Sequence, residues 1–282
     1  MSRTRHSTPP AWEQVRALSF EFESREVVAP HTHRWHQLVY ACQGVMTVRT
    51  AEGMWVVPTH RGVWVPGEVE HSIEMSGQVS MRTLYVRSSI ARSLPAACRV
   101  LDVSPLLREL ILHAVTIGSL DRRNRAHVRL YGTIVDQLRA IKASTLHLPQ
   151  PREPRAARVA ALLEADPANA KTLGELSRQA GASARTIERT FKAETGMTFS
   201  RWRQQLRLVH AMQLLAAGSK VTSVALDVGY SSPSAFISVF RHVLGESPTR
   251  YFRARATDGP PVPGDARARA HPKRARKRPA RK

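Results

Sequence analysis

Cysteine is nearly absent from this chain: Cys42 and Cys98 are the only two, at neither metal-finger nor redox spacing. That argues against a disulfide framework. No apolar run approaches the ~18 residues a membrane span needs, and Met1–Pro10 lacks the apolar segment of a secretory signal. The expectation is a cytoplasmic protein with no membrane partner. Acidic residues are also scarce, 22 Asp and Glu against 43 Lys and Arg, for a net charge of +21. Such an imbalance points to a polyanionic partner such as nucleic acid. Residues 1–152, 153–256 and 257–282 each net +7, the last in only 26 residues. Charge density therefore marks the tail rather than locating a binding domain.

What is present is a repetition. Leu173, Leu176, Ala180 and Gly181 recur as Val221, Val224, Val228 and Gly229, at an offset of 48. The offset then becomes 49, with Ile187 and Phe191 answering Phe236 and Phe240, and Gly196 and Trp202 answering Gly245 and Tyr251. Two copies are too few for a solenoid, so this is a pair of modules. Each copy reads as helix, glycine turn, helix. In the first, Thr172 and Glu175 form a capping-box pattern and Ser183 caps the second helix. With Ile187 and Phe191 inward, the outer surface is Ala184, Arg185, Glu188, Arg189 and Lys192. A major groove accepts such a helix, and Arg can hold guanine through two hydrogen bonds. Glu188 either accepts from a cytosine amine or pairs with Arg185 or Lys192. The second copy presents Pro233, Ser234, Ile237, Ser238 and Arg241, a weaker reading surface capped by Ser231 or Ser232. Between them Thr198–Ala217 predicts one long helix of roughly 30 Å, matching the roughly 34 Å between successive major grooves.

The N-terminal half differs. Residues 1–15 have no periodicity and are expected to be disordered. Short strands are predicted at Gln37–Ala41, Val45–Thr50, Met54–Val57, Val63–Val65 and Val79–Val86, separated by Gly44, Gly53, Gly62 and Gly67. This spacing suggests a small antiparallel barrel or sandwich. Helices follow at Pro105–Val115 and Val128–Ile141. Three prolines then fall in the six residues Pro149–Pro154, which predicts a stiff linker. The division expected is therefore 16–100 for an effector-binding domain, 101–147 for a helical dimerisation segment and 148–155 for a linker. Residues 156–256 make the DNA-binding domain and 257–282 a disordered basic tail.

The runs Ala180–Ser183, Phe191–Gly196, Val228–Phe236, Phe240-Arg241 and Gly245–Tyr251 resemble the AraC/XylS family of transcription regulators, over about Arg155–Arg253. By that resemblance, Arg185, Glu188 and Arg189 stand where the first recognition helix reads bases, and Ser234 and Ser238 where the second does. Lys192 and Arg241 join them as expected DNA contacts. The run His31-Thr32-His33, with His36, Gln37, Gly44, Gly62, Pro66 and His71, resembles a cupin barrel over about residues 20–87. The fold implied is an all-β cupin-like barrel with two following helices, then an all-α domain with two helix-turn-helix motifs joined by a long helix. Gln37 stands where the cupin motif has a carboxylate, and Glu68 where it has glycine.

His31, His33 and His71 could converge on a divalent metal. The reading adopted is instead a pocket without metal or cofactor, lined by His31, His33, Trp35, Trp64 and His71. Tyr40 and Trp55 are further candidates for an apolar effector pocket. The expected partners are double-stranded promoter DNA, a small-molecule effector, a second copy of the chain and RNA polymerase. Activator and repressor stay equally open, and the resemblance extends to regulators of neighbouring transport or efflux genes. The main rival is a cupin metalloenzyme, dioxygenase-like, fused to a DNA-binding domain, although no general base or nucleophile marks catalysis. A charge-driven architectural DNA binder is a further rival. The tail reads either as salt-sensitive phosphate contacts from Lys273–Lys282 or as a solvated extension.

Overall fold

The computed structural model describes residues 10–59, 61–140 and 147–253. The expectations for residues 1–9, for Ile141 and for the tail 257–282 lie outside them. Among the described residues nine strands form one antiparallel sheet: β1 (Glu13–Phe22), β2 (Val27–His31), β3 (His36–Thr50), β4 (Gly53–Pro58), β5 (Arg61–Val65), β6 (His71–Val86), β7 (Arg99–Asp102), β8 (Ser119–Asp121) and β9 (His147–Pro149). The main path is β7-β5-β3-β6-β1-β8; β2 pairs with β6, and β4 with β3 and β9.

The two long strands β3 and β6 are its spine. Side chains alternate across a strand, and on β3 both sets are buried. Val39 and Ala41 enter one core with Val63 and Val65, while Leu38 and Tyr40 enter a second with Trp64 and Leu84. A strand covered on both faces needs a continuous apolar run, which is why Leu38–Ala41 carries no charge. Instead of two strands at 37–41 and 45–50, one strand runs through. Its register slips between Ala41 and Val45, and Gly44 takes φ 78° there. A Cβ on Gly44 would lie 2.2 Å from the Gln78 carbonyl oxygen, so the bulge requires glycine.

Three expected boundaries shift. Glu13–Val15 is buried strand rather than disordered: the Glu13 carboxylate is held by Arg16 at 2.8 Å and by Ser119 at 2.6 Å. Within the segment expected at 101–147, residues 101–140 are part of the sheet domain's own structure. Its helices α1 (Pro105–Ile117) and α2 (Arg125–Ala140) bury Leu107, Ile111, Ala114, Ile134, Val135 and Leu138 in the second core. The stretch 148–155 is not a free linker, because Trp55, Met54 and Gly53 pair with His147, Leu148 and Pro149. Proline is tolerated there because β9 is an edge strand.

Among the described residues seven helices follow: α3 (Pro154–Ala165), α4 (Leu173–Gln179), α5 (Ala184–Thr195), α6 (Phe199–Ala216), α7 (Val221–Asp227), α8 (Pro233–Leu244) and α9 (Pro248–Arg253). The capping box at Thr172 and Glu175 is formed, and Ser183, Thr198 and Ser232 cap α5, α6 and α8. The turn Ala180–Ser183 is one residue shorter than Val228–Ser232, which is the origin of the change of offset from 48 to 49.

Helix α6 buries Trp202, Leu206, Leu208, Val209, Ala211 and Met212 around most of its circumference. A helix that is apolar on most sides is enclosed, and α6 lies between the two helical modules and the sheet. Gln213 Nε2 donates to Thr47 Oγ1 at 2.8 Å, and Trp202 Nε1 donates to the Pro149 carbonyl at 2.7 Å. A Cβ on Gly77 would sit 2.4 Å from the Ala216 carbonyl oxygen, so β6 and α6 touch backbone to backbone.

Candidate DNA-reading helices and effector cluster

In α5, Ile187 and Phe191 are fully buried and Phe191 packs edge-on against Phe199 and Trp202, at 5.4 and 5.2 Å. Spacing of i, i+4 places both anchors on one face. The opposite face leaves Arg185, Arg189 and Lys192 exposed. Glu188 is half-buried and accepts the Phe199 backbone N–H at 3.2 Å, so its carboxylate is committed to the start of α6. Lys192 Nζ donates to the Gly196 carbonyl at 3.3 Å, a contact that complements the helix C-terminus. Among the described residues, Arg185 and Arg189 are thus the two long side chains on this face without such an internal contact. In α8, Phe236 and Phe240 are the anchors, and Ser234, Ser238 and Arg241 are exposed.

The sheet domain gathers the expected histidines. His31 ends β2, His71 begins β6, and they are direct register partners. With His33 their candidate ligand atoms all lie within 4.8 Å of one another. Tyr85 packs edge-on against His33 at 5.1 Å. Burial pushes the His71 imidazole down to about 4, and burial also lowers His33. Gln37 Oε1 lies 2.9 Å from His33 Nε2 and 3.0 Å from His71 Nε2.

The tryptophans do not join this cluster. Trp64 is core: its Nε1 donates to the Pro95 carbonyl at 2.9 Å and its ring stacks on His36 at 5.3 Å. Trp35 lies under the Arg87 guanidinium, 4.9 Å away. Trp55 is core too, stacked on His147 at 4.6 Å. Residue type put tryptophan in the expected pocket, but strand alternation turns Trp64 to the opposite face from Val63 and Val65. Two members of the site were not assigned roles from the sequence, Tyr85 and Thr83. Their alternation along β6 was legible; their register opposite Gln37 and Val39 was not.

Two family descriptions match this architecture: an AraC-like ligand binding domain over residues 16–194 and a helix-turn-helix domain over 176–254. The chain belongs to the AraC family of transcription regulators. Within that family it is 35% identical to the HTH-type transcriptional regulator NimR of Escherichia coli K12, covering 83% of this chain and 86% of NimR. It is 37% identical to the HTH-type transcriptional regulator RipA of Corynebacterium glutamicum, over 39% of this chain and 33% of RipA. Among solved structures, fatty-acid-bound ToxT of Vibrio cholerae matches with TM-score 0.36 and 10% identity, over 85% of this chain and 95% of ToxT. The AraC-type regulator therefore has a sheet-rich effector-binding N-terminal domain and a helical DNA-binding C-terminal domain. The metalloenzyme reading has no support, since these relatives are regulators rather than enzymes. Among the described residues no helix is long and apolar enough to cross a membrane.

Proposed function

We propose that this AraC-family regulator works in the cytoplasm. In this reading the sheet domain is a cupin-type barrel that converts effector binding into a change in how α6 is held. The observation that carries it is the double role of α6. It joins the two helix-turn-helix modules, and it is also the element seated on β3 and β6 through Thr47 and Gly77. Those same strands carry Gln37 and His71 of the histidine cluster. An effector acts only by differing in affinity between two arrangements, and a strand that ends on α6 gives it two arrangements to distinguish.

The 18 residues of α6 span about 27 Å at 1.5 Å per residue, suited to setting α5 and α8 into successive major grooves. Arg185 and Arg189 supply base readout, while Ser234, Ser238 and Arg241 mainly position the protein on the backbone. Lys192 contacts phosphate. A second copy of the chain docks on the outer face of α1 and α2, where Leu106 is 53% and Val128 37% exposed. RNA polymerase is the further partner at an activated promoter.

Selection of bound sequences from random DNA tests this reading, with wild type beside Arg185→Ala and Arg189→Ala. A bidentate contact predicts a loss of roughly 1–3 kcal/mol at one base position. An unchanged motif in both variants would remove the base-contact assignment.

A further inference from the structure

Helix α6 places Arg203 and Arg207 four residues apart, on one face. Both guanidiniums reach back to the loop between α3 and α4, where they meet backbone. Arg203 Nη1 donates to the Lys171 carbonyl at 2.8 Å and Nη2 to the Asn169 carbonyl. Arg207 Nε donates to the Pro167 carbonyl at 3.2 Å. Among the described residues no carboxylate forms an ion pair with either one, and Asp166 acts on Arg203 only at a distance. Burial, and then the charge of Arg207, hold the Arg203 guanidinium below its ordinary range. Carbonyls satisfy donors but carry no net charge. Two like charges therefore sit half-buried and close together without a counter-ion, an unfavourable arrangement. The pair lines a cleft of about 530 Å3 with Ala170 and Leu173 of the first module, Phe199 of α6 and Tyr230 of the second module's turn. Arg207 lies over the Tyr230 ring at 5.7 Å, and a Cβ on Gly229 would come within 2.7 Å of Arg207 Nη2. The Tyr230 hydroxyl and Arg203 Nε are buried without a hydrogen-bond partner, which is costly unless something else meets them.

We propose that this cleft binds a small organic anion, a carboxylate on a compact apolar body, and that the bound anion bridges the two helix-turn-helix modules. The terminal N–H groups of Arg207, outside its Pro167 contact, form the planar fork that matches a carboxylate. Arg203 supplies the second charge, and the Tyr230 hydroxyl a further donor. Ala170, Leu173 and Phe199 put apolar surface beside the cations, which favours an organic acid over a bare phosphate. The volume is that of an ordinary small-molecule site. None of these residues belongs to the sheet domain, so the cleft is separate from that domain's effector site and serves a second signal. Its walls come from both modules, so occupancy and DNA binding are linked, each changing the other's affinity by the same factor.

The test uses the full chain and biphenylcarboxylate as the probe, with biphenylmethanol as its neutral counterpart and inorganic phosphate as the bare anion. Each is titrated by calorimetry without DNA. Wild type is expected to bind one biphenylcarboxylate per chain, about 10-fold or more tighter than either control. Arg203→Gln and Arg207→Gln should each weaken it about 10-fold or more, and Tyr230→Phe about 3-fold. Tyr230→Phe removes only a hydroxyl without a partner in the chain, so it keeps the fold; circular dichroism checks the arginine variants. Affinity for DNA selected from random sequence should change about 3-fold or more with the probe in wild type, and not in Arg207→Gln. Absence of stoichiometric binding, equal binding of the alcohol, or binding untouched by the three substitutions would each overturn the proposal. Phosphate binding as tightly as the probe would assign the arginines to the DNA backbone and overturn it too. DNA affinity that ignores the probe would overturn the bridging. DNA binding without the probe leaves the regulator reading standing, so the two can fail independently.

Discussion

Gln213 Nε2 donates a 2.8 Å hydrogen bond to Thr47 Oγ1, joining two residues 166 positions apart. One lies near the end of the helix connecting the two helical modules, the other on the spine of the effector-binding domain. Thr47 is fully buried, so a lost partner is not replaced by water.

Replacing the pair tests whether this bond couples the domains. Gln213→Leu and Thr47→Val should each cost about 0.5–1.5 kcal/mol in denaturant unfolding, and the double variant should cost less than their sum. Additive effects would show that the contact is incidental.

Glu188 separates a structural from a base-reading role. Because it accepts the Phe199 N–H at the start of α6, Glu188→Ala should lower stability by about 1–2 kcal/mol. The DNA motif selected by the variant should match wild type. A motif altered at one base would instead restore Glu188 as a reader.

The two glycine turns should respond unequally. Gly181 and Gly229 take φ of 74° and 82°, which costs any other residue roughly 1–2 kcal/mol. A Cβ at Gly181 meets open space, whereas at Gly229 it lies 2.9 Å from Ala168 Cα and 3.0 Å from its carbonyl oxygen. Gly229→Ala should therefore lower Tm more than Gly181→Ala; equal losses would mean that the Ala168 loop yields freely.

Stability should fall in acid. His210, beside Arg49 at the domain junction, and His147, stacked on Trp55, are both pushed by burial from 6.5 down to about 4. Arg49 is itself paired with Glu74 at 3.7 Å and Glu164 at 3.8 Å. The unfolded chain takes up protons at these histidines as pH drops through 6.5, while the folded chain resists until about 4. Stability thus rises with pH across that window and levels off outside it. Measured by chemical unfolding with chelator present, His210→Gln should flatten part of the slope. An unchanged slope would place the pH dependence elsewhere.

Local sequence alone determined the helical half. Anchors at i, i+4, a capping box, hydroxyl caps and turn glycines act within a few residues, so the two modules and their one-residue difference were legible as arithmetic. Short strands with alternating residues likewise announced an antiparallel sheet. Tertiary structure decided what depends on register and on which face is covered. It turned Trp64 into core, committed Glu188 to α6, folded residues 101–140 and 147–149 back onto the sheet, and set Thr83 and Gln37 behind the histidines. Such pairings join positions tens of residues apart, and a shift of one residue along β3 would reverse every face. No local pattern encodes them.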